Sequence, residues 1–258
     1  MNRGEKNELI FKIYLCHLKK NNDSSTVLGE IAKIGFDKDE YKELFEEIDF
    51  NNLTDPQFIK KISKQIGAEK SPPKSKADIY INGIGYSVKY TSGGMPSIVN
   101  HTTRVGFLRI ANELKQDISL LDYQINNYWK LRESKIIGED CGNNNINSPF
   151  REYGHIWKPY LEYFCFDGTG SNVSTYPANK LIMIPKVNNP SSWTAYSRNE
   201  IVEKIWTGLY FCMRGGKGMP KNYKNSSKRD LISPWTRYIS NKYRGALSIR
   251  YKPTSKKY

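Results

Sequence analysis

The sequence predicts a mixed α/β or α+β fold, and three observations predict it. Helical apolar spacing opens the chain, an Asn-Gly hairpin follows near residue 80, and further helices then give way to short apolar runs of strand type. That order argues against a doubly wound parallel sheet, in which strands and helices alternate one by one. At 258 residues the chain suffices for one large domain or two modest ones, each with a core of ordinary size.

Residues 5–20 read as a helix. Leu9, Ile10, Ile13, Tyr14, His17 and Leu18 recur at helical spacing, with Glu5 and Glu8 in the first turns. Residues 27–35 and 37–48 read as two more helices, the second capped by Asp37, and Thr54 or Asp55 caps another that ends near Ile66. Ser71-Pro72-Pro73 then breaks helix and leads into the stretch from Lys76 to Lys89. There Asn82-Gly83 stands between two alternating runs, the strongest short-range hairpin signal. A two-residue type I′ loop pairs Ile81 with Ile84, Ile79 with Tyr86, and Asp78 with Ser87. One face then carries Ala77, Ile79, Ile81, Ile84, Tyr86 and Val88, and the other gathers Asp78, Tyr80, Ser87 and Lys89.

Beyond the hairpin, Ser92 to Pro96 reads as a loop, and residues 102–117 and 119–134 as helices. Gly138 to Pro149, with its run of asparagines, reads as a surface loop. Tyr160 to Phe166 and Leu181 to Ile184 read as buried strands, and residues 198–212 as a helix opened by Ser197. Met213 to Pro220 reads as a flexible basic loop and Leu247 to Tyr251 as a closing strand.

The formal net charge is +14, and its placement matters more than its size. From Lys204 to Tyr258 the only acidic residue is Asp230, and the cations are interleaved with aromatic residues. A localised basic block favours a nucleic-acid partner. Arg214, Lys217, Lys221, Lys224, Arg237 and Arg244 are its candidate DNA contacts. Asn100, Thr103 and Arg104, at the start of a helix, form a second candidate set, because helix N-termini bind phosphate readily. The Gly215–Gly218 segment lacks the spacing and the Lys-Ser/Thr ending of a nucleotide-binding loop. Four scattered cysteines show no zinc spacing, and no apolar run approaches a membrane span. A cytoplasmic protein with reduced thiols, away from membranes, is the expectation.

Phosphodiester hydrolysis needs charge stabilisation at the scissile phosphate, a positioned water and a nearby cation. Asp78 supplies one oxygen ligand of the kind magnesium prefers, and Lys89 the cation. Ser87 does not replace a second carboxylate, so that group must come from elsewhere in the chain.

Asp78 followed after eight residues by Ser87-Val88-Lys89 resembles the metal-dependent PD-(D/E)xK nuclease superfamily, in its variant with Ser at the acidic position. Arg3-Gly4-Glu5-Lys6-Asn7-Glu8 is similar to that superfamily's first-helix signature. Gly93-Gly94-Met95-Pro96-Ser97-Ile98-Val99-Asn100 is similar to type II restriction endonucleases, nearest to HpaII-like enzymes. The resemblance covers about the first 120 residues and departs from the pattern at Ala77 and Ser87. It implies a restriction-endonuclease-like core with a central mixed sheet flanked by helices, over residues 1–190 with the catalytic hairpin at 76–91. A basic DNA-binding region would follow at 191–258, either separate or packed on the core. It implies Mg²⁺ held by Asp78 and Glu8, a catalytic Lys89, and Ser87 as a hydrogen-bonding member or spectator. Glu5, Glu30 and Glu113 stand in reserve for the second carboxylate. The implied substrate is double-stranded DNA at a short specific site, with a cognate DNA methyltransferase as genetic partner and with monomer and homodimer both open. A structure-selective repair or recombination nuclease and a non-catalytic nucleic-acid-binding protein are the rival readings.

Overall fold

A computed structural model describes residues 3–36, 39–68 and 70–253. In chain order the elements are α1 (Arg3–Lys20), β1 (Ile34–Phe36), β2 (Asp39–Glu40), α2 (Pro56–Ile66), β3 (Ile79–Ile81), β4 (Ile84–Tyr90), β5 (Ser97–Thr103), α3 (Arg104–Leu114) and α4 (Ser119–Glu133). They continue with β6 (Cys141–Gly142), α5 (Gly154–Glu162), β7 (Lys180–Ile184), β8 (Thr194–Ser197), α6 (Arg198–Ile205), β9 (Leu209–Gly215), α7 (Arg229–Ile232), β10 (Arg237–Ile239) and β11 (Lys242–Tyr251). The fold is mixed α/β, as the sequence predicts. Among the described residues no helix is long and apolar enough to cross a membrane.

The chain forms two compact units. The first holds residues 1–93, 165–167 and 174–198, and the second holds residues 94–164, 168–173 and 199–258. This differs from the expected division at 190/191. The physical reason is strand pairing: β11 pairs with β5 and β9, and β9 with β6, so the basic C-terminal stretch completes a sheet begun before residue 145.

In the first unit a six-stranded sheet has the order β2-β1-β3-β4-β7-β8, antiparallel except for β4–β7. Ile79, Ile81, Tyr86, Val88, Ile182 and Ile184 share one core with Phe11 and Leu15 of α1 and Ile59, Ile62 and Ile66 of α2. The α2 helix starts where its sequence dictates. The Asp55 carboxylate accepts the Gln57 N–H at 2.9 Å, Pro56 occupies the first turn, and Gly67 (φ 76°) ends the helix in the left-handed region. The α1 helix stands where its apolar spacing predicts, and its middle, from Phe11 to Cys16, is buried on every side.

Residues 27–35 and 37–48 do not form the expected helices. Strand β1 pairs with β2 and, through Ile34–Ile81 and Gly35–Tyr80, with β3. A side chain at Gly35 would collide with the Asp39 carbonyl, and long-range pairing prevails over local helix propensity. The proposed Asp37 cap lies outside the described residues.

In the second unit the antiparallel sheet runs β10-β11-β9-β6, with β5 also paired to β11. Its aromatic core includes Phe107, Trp129, Trp157, Tyr160 and Trp235, and Phe150 stacks on Phe211 at 4.1 Å between ring centroids. The apolar run beginning at Tyr160, expected as a strand, is helical: α5 continues into a wider helical turn at Tyr163–Asp167. Short apolar runs do not distinguish a buried helix from a buried strand, and this one is buried nearly all round. Two loop boundaries also differ from expectation. The 198–212 helix stops at Ile205, and Met213 to Gly215 belong to β9 because β11 pairs with them. The asparagine-rich segment buries Cys141, Asn143 and Ser148 rather than lying wholly on the surface.

Candidate active site

The β3–β4 hairpin has the predicted register, Ile81–Ile84, Tyr80–Gly85 and Ile79–Tyr86. Both loop residues have positive φ, 51° at Asn82 and 79° at Gly83, as a type I′ turn requires. Asn82 has a second task. Its Oδ1 accepts the N–H groups of Ala32 and Lys33 at 2.9 Å each, and its Nδ2 donates to the Glu30 carbonyl at 2.7 Å. The turn therefore anchors the entry to β1.

The expected Asp78–Ser87 pair is corrected by the structure, because the ladder ends at Ile79–Tyr86. Asp78 N–H donates to the Tyr86 carbonyl at 2.8 Å, and Ala77 N–H turns away to the Tyr176 carbonyl at 3.0 Å. The Asp78 carboxylate takes the vacated ladder position, its Oδ2 accepting Val88 N–H at 2.6 Å. A side chain thus does the work of a backbone carbonyl and holds Asp78 at the strand entry. Lys89 still acts on Asp78 from this position. Burial raises the Asp78 carboxyl above its ordinary range, opposed by the Lys89 charge and the Val88 hydrogen bond and reinforced by Glu8.

Glu8 comes from α1. Its Oε1 lies 2.7 Å from Lys12 Nζ, 3.1 Å from Ser71 Oγ and 3.3 Å from Ser71 N. Ser71 ties Glu8 to the backbone at residue 78, since its Oγ also donates to the Asp78 main-chain carbonyl at 2.8 Å. A 460 Å³ cleft opens on Glu8, lined also by Glu5, Lys60, Ser63, Lys64 and Lys70. Of the reserve carboxylates, Glu5 lines that cleft and pairs with Lys70 at 2.6 Å. Glu30 lines a different cavity, and Glu113 lies in the second unit, paired with Arg109 at 2.8 Å. Ser87 is buried on β4, while Lys89 is half-buried.

Three groups near this site were not singled out from sequence. Lys12 is fully buried against Glu8, and only their four-residue spacing on one helix was available as a signal. Lys76 feels Lys89, Asp78 and Asp167; burial and the Lys89 charge push its ammonium down to about 8. Tyr90 donates to the Asn7 carbonyl at 2.7 Å, and burial, with the Asp78 and Glu8 charges, holds its phenol well above the ordinary range.

The candidate DNA contacts all lie in the second unit and divide by residue type. Arg104 chelates Asp122 through two hydrogen bonds of 2.8 and 2.7 Å. Arg244 and Arg214 donate to Glu139 Oε1 at 2.6 and 2.8 Å, and Arg214 also reaches Asp140 at 2.9 Å. Arg237 binds Asn126 at 3.0 Å and lies 3.8 Å from Glu133. Lys217, Lys221 and Lys224 are exposed around one 680 Å³ cleft. Asn100 and Thr103 line another of 670 Å³, beside Lys228 and the first turn of α3.

Compared with known proteins, the chain matches no protein-family model and no curated sequence.

Proposed function

We propose that this chain is a magnesium-dependent endonuclease that hydrolyses double-stranded DNA at a short specific sequence, in the manner of a type II restriction enzyme. One observation carries the reading. Asp78 before β3, Glu8 on α1 and Lys89 on β4 come from three separate elements, and Asp78 lies within electrostatic reach of both of the others. Two carboxylates from separate elements, each within the other's field, suit an ion that takes oxygen ligands and keeps several waters. Asp78 and Glu8 would hold the magnesium, whose contribution when bound is to stabilise charge developing on the scissile phosphate.

The chain's own groups supply the rest. The Val88 N–H fixes the Asp78 carboxylate, and Lys12 with Ser71 fixes that of Glu8. Lys89 carries a half-buried cation that orients the attacking water or holds the phosphate. Ser87, buried in the sheet, takes no direct part.

The non-catalytic reading has an observation of its own: Ser87 stands at the acidic position, and Glu8 Oε1 is already engaged by Lys12. Incubation with unmodified plasmid and phage DNA, with magnesium or with a chelator, separates the readings. Discrete fragments that need magnesium are expected. Cleavage confined to junctions or flaps would favour the repair reading, and binding without cleavage would leave only the non-catalytic one.

A further inference from the structure

The second unit carries many cations, and the structure divides them into two classes. Four of the arginines are engaged by carboxylates. Arg104 is held by Asp122, Arg214 and Arg244 by Glu139, and Arg250 by Asp140 at 2.6 Å. Pulling such a group out to a phosphate would strand its carboxylate, and Arg244 is itself buried. The lysines differ. Among the described residues Lys217, Lys221, Lys224, Lys228 and Lys242 are in no ion pair, and all are exposed.

Four of these lysines surround one concavity. The cleft of 680 Å³ lies between the Gly216–Lys224 segment and the β10–β11 hairpin, with Lys217, Lys221, Lys224 and Lys242 at its edges. Tyr223 and Tyr243 line it too, their ring centroids 4.7 Å apart. The segment is shaped rather than loose. Met219 N–H donates to the Gly216 carbonyl at 3.0 Å, and Gly218 (φ 89°) packs so closely on the His101 carbonyl that no side chain fits. Several exposed ammonium groups around a preformed groove match a chain of phosphates. Their compact point charges bind phosphate without reading bases.

We propose that this lysine cleft, and not the arginine set, supplies the phosphate-backbone contact to duplex DNA. The inference rests on the duplex-DNA reading above and names the surface that provides its affinity.

The test is fluorescence anisotropy of a labelled duplex in chelator over a series of KCl concentrations. It compares the full chain with a variant carrying Lys217→Gln, Lys221→Gln, Lys224→Gln and Lys242→Gln. The variant should bind about tenfold or more weakly, with a salt slope shallower by roughly 0.9 per lost contact and an unchanged melting temperature. Unchanged affinity and slope, or no duplex binding by the unaltered chain, would overturn the proposal. Cleavage, scored separately with magnesium, distinguishes the two readings. Lysine-dependent binding without any cleavage sinks the nuclease and leaves the cleft standing. Normal binding and cutting by the lysine variant sinks the cleft and leaves the nuclease standing.

Discussion

Glu8 and Lys12 stand one turn apart on α1, and the full burial of the ammonium decides what can be changed at the carboxylate. Glu8→Ala removes a carboxylate 2.7 Å from an ammonium that is 1 % exposed. The expected loss is roughly 3–5 kcal/mol of stability, the usual cost of breaking a buried pair from one side. Glu8→Gln keeps an oxygen acceptor for Lys12 and Ser71 and should lose distinctly less. Urea denaturation of both variants checks this, and equal losses below about 1 kcal/mol would contradict it. Glu8→Gln is therefore the substitution with which to probe activity. At this scale residue type singles out Asp78, Lys89 and Glu8 in the sequence, and in the structure Asp78 lies within electrostatic reach of the other two. Lys12, Lys76 and Tyr90 were not named, because what makes them unusual is burial. A lysine between Phe11 and Ile13 carries no mark of its environment until the helix is packed on all sides.

Elements whose cause is local were readable. The β3–β4 hairpin follows from Asn82-Gly83, and α2 from Asp55, Pro56 and Gly67; both stand where the sequence put them. Elements whose cause is distant were not. Strand β1 exists because β3 and the Asn82 side chain recruit it, and nothing within residues 27–36 announces that partner. The run from Tyr160 is helical because it fills an aromatic core from many directions. The departure at Asp78 belongs here too. An alternating pattern predicts continued pairing, yet a short carboxylate able to accept Val88 N–H ends the ladder one residue early. A strand entry capped by an acid fixes that carboxylate at the end of β3, beside the Val88 N–H of β4.

At the scale of the whole molecule, the excess of positive charge that pointed to a polyanion includes, in the second unit, one set of arginines held by carboxylates and one set of exposed lysines around a single cleft. Glu139 and Asp140 are the hub of the first class. Burial would raise both carboxyls, but Arg244 and Arg214 at the first, and Arg250 and Arg214 at the second, hold them below their ordinary range. A depressed folded pKa gives stability that is present above the unfolded value of roughly 4 and is lost as pH falls through the folded one. Glu139→Gln should therefore melt below the unaltered chain at pH 7, and the gap should close in acid. Thermal melts between pH 3 and pH 7 measure it, and a gap that persists or widens in acid would contradict the assignment. The central claim concerns the other unit, where Asp78 and Lys89 are proposed to run phosphodiester hydrolysis. Its most direct test is the single-turnover cleavage rate of duplex DNA with magnesium for the unaltered chain, Asp78→Asn and Lys89→Ala, with duplex binding measured alongside. Rates lower by about 100-fold or more in both variants, with binding retained, are predicted. Cleavage at the unaltered rate in either variant would contradict the site.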